Sequence, residues 1–79
     1  MSESTALQVR AVFTSVLGVS PEHLSDDASP DTILSWDSLT HINLMLAIEG
    51  ACGVQFEPDE MMELRTVGAV VQRVLAARG

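Results

Sequence analysis

The segment SLTHINLMLAIEG, Ser38 to Gly50, is apolar at helical spacing on two sides rather than one. Turning about 100° per residue from Ser38, Leu44, Met45 and Ile48 gather between about 240° and 340°, and Leu39, Ile42 and Leu46 between about 40° and 100°. Ser38 falls on the boundary between the two stripes, with Thr40 and Ala47 on the remaining side. One stripe serves a core. The other requires either burial of the helix on most sides or an exposed face that another molecule covers. Periodicity alone does not assign them, but any fold must be arranged around this helix.

Its neighbours are simpler. In TALQVRAVFTSVLG, Val9, Val12, Phe13, Val16 and Leu17 follow the spacing of a single helix face, and Gly18 supplies a stop. Near the C-terminus, Val67, Val70, Val71, Val74 and Leu75 repeat that pattern behind Thr66, a candidate cap. A short helical piece is expected to open at Pro58. The central helix is expected from Ser38 to about Ala51, with Gly50 and Gly53 marking its end. The connection VSPEHLSDDASPDTILSW contains Pro21 and Pro30, which forbid a helix interior. A connection of this length must be pinned by side chains, and Val19, Leu24, Ile33, Leu34 and Trp36 are the expected pins. GVQF is too short and isolated to build a sheet. The expected fold is all-α: three long helices and a short one in a bundle, with the long loop between the first and second.

Length bounds what such a bundle can do. A chain of 79 residues buries roughly 60–65% of its unfolded surface and has no room for a deep cleft. It is expected to form one domain over residues 1–79, with its core from about 5 to 77. One cysteine permits no internal disulfide, and Cys52 reads as a small core residue at a helix end. The N-terminal MSESTALQVR has no basic run before an apolar one, and no apolar run reaches the ~20 residues of a membrane span. A cytoplasmic monomer is expected. Eleven acids stand against four arginines, with no lysine, for a net charge of −7. That excludes nucleic acid and anionic membranes as partners and favours proteins with basic faces, or it simply keeps the chain soluble.

Catalytic equipment is absent. Asp37 is placed to cap the central helix by accepting a bond from a first-turn N–H, and Ser38 then occupies the first helical position at the rim. His41 lies one turn along, but nothing implies the orienting group or oxyanion donors that a serine nucleophile needs. Asp27, Ser29 and Asp31 alternate like the start of a calcium loop, yet Thr32 and Ser38 stand where its glycine and closing glutamate belong. No metal site is expected. The chain reads as a substrate for other catalysts.

Asp37-Ser38-Leu39 opening an apolar helix resembles the attachment site of acyl carrier proteins. LGVSPEHLSDDAS before it and VQFEPDEMMELRTVGAVV after it resemble that family's loop, short third helix and final helix in order, spacing and length. The resemblance implies that Ser38 carries a 4′-phosphopantetheine arm, added from coenzyme A by a phosphopantetheinyl transferase, whose thiol holds cargo as a thioester. It implies that Asp37 holds the helix start and assists that transferase. It assigns Leu44, Met45 and Ile48 to the core and Leu39, Ile42 and Leu46 to partner docking, with Glu49, Asp59 and Glu60 as acidic docking residues.

Loading enzymes (an acyltransferase or an adenylating ligase) and a ketosynthase or similar pathway enzyme are the implied partners. Thr40 and Asn43 stand where many fatty-acid carriers are acidic, and the paired glycines common before the serine of peptidyl carriers are missing. Trp36 before the motif and His41 after it resemble free-standing carriers of specialised bacterial pathways. Polyketide or antibiotic biosynthesis is therefore expected, with an acyl or aminoacyl cargo. The alternatives are a housekeeping fatty-acid carrier and an unmodified carrier-like module that only binds proteins.

Overall fold

Four α-helices and a one-turn 3₁₀ helix make up the regular structure of residues 2–78, the part of the chain that the computed structural model describes; residues 1 and 79 of the expected domain lie outside it. The helices are α1 (Ser2–Leu17), α2 (Ser38–Cys52), α3 (Pro58–Glu63) and α4 (Val67–Arg78), and the 3₁₀ turn is Pro21–His23. No strand occurs among the described residues, so the expected all-helical bundle is the observed one. No described helix is long and apolar enough to cross a membrane.

The single-face patterns become the core. Val9, Phe13 and Leu17 of α1, Leu44, Met45, Ile48 and Cys52 of α2, and Val67, Val70, Val71 and Val74 of α4 are buried in one cluster. Val12, Val16 and Leu75, on the margins of their stripes, are half-buried against it. Alpha-2 packs on α1, which also packs on α4, and Phe13 meets Trp36 edge-on at 5.4 Å between ring centroids. Burial of each large apolar side chain contributes about 1.5–3 kcal/mol, and these contacts together drive folding.

Helix ends follow their sequence signals. Gly18 ends α1 and Gly53 ends α2, both with φ of 68°, a left-handed conformation that glycine adopts without steric cost. Gly50 does not mark an end: it lies inside α2, on an exposed position. A glycine without a left-handed backbone is no stop signal, and the helix runs through it to Cys52. Thr66 caps α4 as expected, its hydroxyl accepting from the Ala69 N–H at 3.1 Å.

The long loop is tied down at both ends. Arg10 donates to the Leu24 carbonyl and pairs with Asp26, and the Ser35 hydroxyl donates to the Leu17 carbonyl at 2.8 Å. The start of α4 closes onto it: Val67 N–H donates to the Ala28 carbonyl at 3.1 Å and Gly68 N–H to the Asp26 carbonyl at 3.0 Å. A Cβ at 68 would meet the Asp26 carbonyl oxygen and Cβ at 3.1 Å, tighter than ordinary van der Waals contact, so a side chain there requires the loop to give by a few tenths of an ångström.

Of the expected pins, Leu24, Ile33 and Trp36 are buried and Val19 is half-buried. Leu34 is not a pin; it is 98% exposed. Trp36 N–H donates to the Ile33 carbonyl at 3.1 Å, closing a turn in which residues one and four point inward and Leu34 occupies the tip. Ala28 is buried as well.

Candidate functional site

The first turn of α2 is built by Asp37. Its carboxylate accepts from the Thr40 N–H at 2.8 Å, and its own carbonyl accepts from His41 N–H. The Thr40 N–H holds the Asp37 carboxyl below the usual carboxylate range, which is the electrostatic signature of a helix cap. Ser38 follows as the first residue of α2, with an exposed side chain. It faces an open cleft of about 380 Å³ lined also by Pro30, Trp36, Asp37, His41, Ile42, Met62 and Arg65.

His41 is structural. Its Nδ1 accepts from the Trp36 indole N–H at 2.9 Å, its Nε2 bonds the Met61 carbonyl, and its ring stacks near Trp36 at 6.0 Å. An imidazole protonated at Nε2 fits both partners, so neither ring nitrogen is left to act as a base on Ser38. The Trp36 bond fastens the end of the long loop to α2, and the Met61 bond fastens α3 to α2 beside the cleft.

The two stripes of α2 separate cleanly. Leu44, Met45 and Ile48 are fully buried, whereas Leu39, Ile42 and Leu46 are 70%, 52% and 53% exposed. Met62 of α3, at 74%, adds a further apolar side chain by the cleft. Not all the expected acidic docking residues are equally free. Glu49 is half-buried, and its carboxylate accepts from the Phe56 N–H at 2.8 Å, which ties the end of α2 to the segment before α3.

Glu60 accepts from the Glu57 N–H and is bridged to Arg73 at 2.5 and 3.2 Å, and Arg73 also lies over the Phe56 ring. The Arg73 bond lowers the Glu60 pKa and raises that of Arg73. Asp59 is exposed on the first turn of α3. Ser38, Asp37 and Ile42 share the cleft, while Leu46 and Glu49 border a separate depression with Gly53, Val54 and Ala77. Arg65 and Met62 were not evident as cleft residues, because only the return of α3 toward α2 brings them there.

The loop around Asp27, Ser29 and Asp31 is held by its own bonds: Asp31 N–H donates to the Ser29 hydroxyl and Ser29 N–H to the Thr32 hydroxyl. No group of three or more potential metal-ligating side chains occurs among the described residues.

A small helical bundle that displays a hydroxyl at a capped helix start, with its nearest histidine already engaged, has the form of a carrier. Residues 8–74 match the family described as phosphopantetheine attachment site. The acyl carrier protein of Chlamydia trachomatis serovar L2 (strain ATCC VR-902B / DSM 19102 / 434/Bu) is 35% identical over 66 residues, covering 84% of this chain and 86% of the relative. That of Thermosynechococcus vestitus (strain NIES-2133 / IAM M-273 / BP-1) is 35% identical over 72 residues, with 90% and 89% covered. Acyl carrier protein 2 of Ralstonia nicotianae (strain ATCC BAA-1114 / GMI1000) is 30% identical over 81 residues, with 98% and 100% covered.

The chain belongs to the acyl carrier protein family. Membership makes it a non-catalytic carrier with a covalent 4′-phosphopantetheine group, served by a phosphopantetheinyl transferase and by acyl-handling enzymes. The chain's residues fit such a group: an exposed serine opens a helix, beside a cleft that Arg65 also lines.

Proposed function

We propose that Ser38 is the residue that carries the arm, within a single carrier domain spanning the chain. The supporting observation is the exposure of Ser38 at the Asp37-capped start of α2. In the loading step the bond from Ser38 Oγ to phosphorus forms as the pyrophosphate bond of coenzyme A breaks. Adenosine 3′,5′-bisphosphate leaves, and the hydroxyl proton passes to solvent. Once attached, the arm supplies a thiol that holds an acyl or aminoacyl group as a thioester.

The chain's own residues do the rest. Asp37 fixes the helix start that presents Ser38, and the apolar face of Leu39, Ile42 and Leu46 meets the enzymes that load or use the cargo. Asp59, exposed on α3, adds negative charge to that docking surface, with Glu49 and Glu60 contributing while they hold their turns. The partners proposed are an acyltransferase or adenylating ligase, then a ketosynthase or comparable enzyme, in the cytoplasm.

The uncharged exposed face of α2 supports a specialised biosynthetic pathway of polyketide or natural-product type, since such a face selects partners by shape and apolar contact. A housekeeping fatty-acid role is the second reading; the plain name "acyl carrier protein" of the Chlamydia and Thermosynechococcus relatives favours it. Intact mass after incubation with coenzyme A, magnesium and a broad-specificity transferase tests the site. A gain of one phosphopantetheine that Ser38→Ala abolishes is expected; a gain that survives this substitution refutes it. Mass spectrometry of the cargo on protein from its native host then separates the two pathways.

A further inference from the structure

Two of the arginines are committed to partners within the fold. Arg10 pairs with Asp26, and Arg73 is bridged to Glu60. Arg65 is exposed on the α3–α4 connection, and among the described residues its guanidinium has no hydrogen-bond or carboxylate partner. Although the chain carries eleven acids and a net charge of −7, neither described ion pair uses Arg65.

Its backbone, meanwhile, is well fixed. Leu64 N–H donates to the Glu60 carbonyl, Arg65 N–H to the Glu63 carbonyl, and Thr66 caps α4. An anchored, unpaired cation therefore lines the same cleft as Ser38 and Asp37, among the apolar side chains of Pro30, Trp36, Ile42 and Met62.

We propose that Arg65 is an anion-binding residue of this site, and that its guanidinium pairs with the phosphodiester installed on Ser38. The inference rests on the proposed modification of Ser38. A phosphodiester keeps one negative charge and two free oxygens, which a planar guanidinium engages in parallel. The need for a cation is local. The ionised Asp37 carboxylate already uses the Thr40 N–H at this helix start, so a second anion beside it meets like-charge repulsion that Arg65 offsets. The pairing holds the root of the arm at the cleft that Ser38 and Arg65 share. It thereby restricts the directions in which the arm leaves the protein.

The test compares unmodified and modified protein, each verified by intact mass, with nitrogen-15 label in arginine. The Arg65 Nε–H resonance is expected to move on modification. In modified Arg65→Gln the phosphorus-31 resonance of the diester is expected to differ from wild type, and Arg65→Lys is expected to fall between them. The gain in melting temperature on modification should be smaller in Arg65→Gln by about 1–8 °C at low salt, as for an exposed charge pair, and this difference should shrink in 1 M salt. A full mass gain with an unmoved Arg65 resonance and an unchanged phosphorus signal overturns the pairing and leaves Ser38 as the attachment site. No mass gain with an active transferase removes both.

Discussion

Leu39 and Leu44 sit five residues apart on α2, carry the same side chain and differ in what surrounds them: Leu39 is 70% exposed and Leu44 fully buried. Truncating each to alanine measures whether α2 is oriented as described. Leu44→Ala removes buried methyl groups and leaves a cavity in the core cluster, at a cost of about 2–5 kcal/mol. Leu39 realises only about a third of the roughly 1.5–3 kcal/mol that complete burial of leucine contributes, so Leu39→Ala costs no more than about 0.5–0.9 kcal/mol, partly offset by the higher helix propensity of alanine.

Against a total stability of about 4–12 kcal/mol for a domain of this size, the first change is severe and the second minor. In urea titrations followed by circular dichroism, with a slope of about 1.5 kcal/mol per molar, Leu44→Ala lowers the midpoint by about 1.3–3.3 M and Leu39→Ala by about 0.3–0.6 M. The slope itself should stay constant. Equal shifts, or a larger shift for Leu39→Ala, would mean that α2 is rotated about its axis and that the exposed apolar stripe is core.

Introducing charge extends the same contrast to function. Ile42→Asp and Leu46→Asp are expected to impair loading and transfer while the circular dichroism spectrum stays helical, whereas Ile48→Asp buries an unpaired carboxylate and unfolds the domain. His41→Phe keeps an apolar ring but leaves the buried Trp36 indole N–H without its acceptor. A loss of about 1–3 kcal/mol in urea unfolding is expected, and an unchanged midpoint would remove His41 as the tie from α2 to Trp36 and to α3.

Acid should weaken the fold through Asp37 and Glu60. Both carboxyls titrate lower in the folded chain than in the unfolded one, so their contribution is complete above the ordinary carboxylate range of about 4 and is lost as pH falls through the lowered values. The melting-temperature gap between wild type and Asp37→Ala or Glu60→Gln should accordingly narrow from pH 7 to pH 3. A gap constant over that range contradicts the capping and bridging roles.

Much of this architecture could be read from residue spacing. Val9, Phe13 and Leu17 in α1 and Val67, Val70, Val71 and Val74 in α4 occupy single stripes, and a single apolar stripe has only one place to go. The start of α2 was legible because an Asp followed by Ser before an apolar run states its own cap. The assignment of the two α2 stripes was not legible from the residues alone. Both are apolar, and the choice between them is made by contacts with α1, whose position depends on the whole fold; only family resemblance supplied it.

Leu34 misled because an apolar side chain in a loop looks like an anchor, while the Ile33–Trp36 turn decides which two of its four residues face inward. Arg65 is separated from Ser38 by 27 positions, and no local pattern signals that they line one cleft. Its only trace in the sequence is scarcity: with few cations present, each one merits a question about what it neutralises.

The grip of α4 on the loop has a consequence for how such a chain can diverge. Asp26 and Ala28 hold the start of α4 through carbonyl oxygens, which every amino acid possesses, while a side chain at 68 would press on Asp26 more tightly than ordinary van der Waals contact. The clasp's own hydrogen bonds are therefore insensitive to side-chain identity on one side, while the packing on the other is sensitive to it. The bonds from the carbonyls of residues 26 and 28 to α4 form whatever side chains those residues carry, although Arg10 separately holds the Asp26 carboxylate, and the position facing Asp26 favours a residue without bulk.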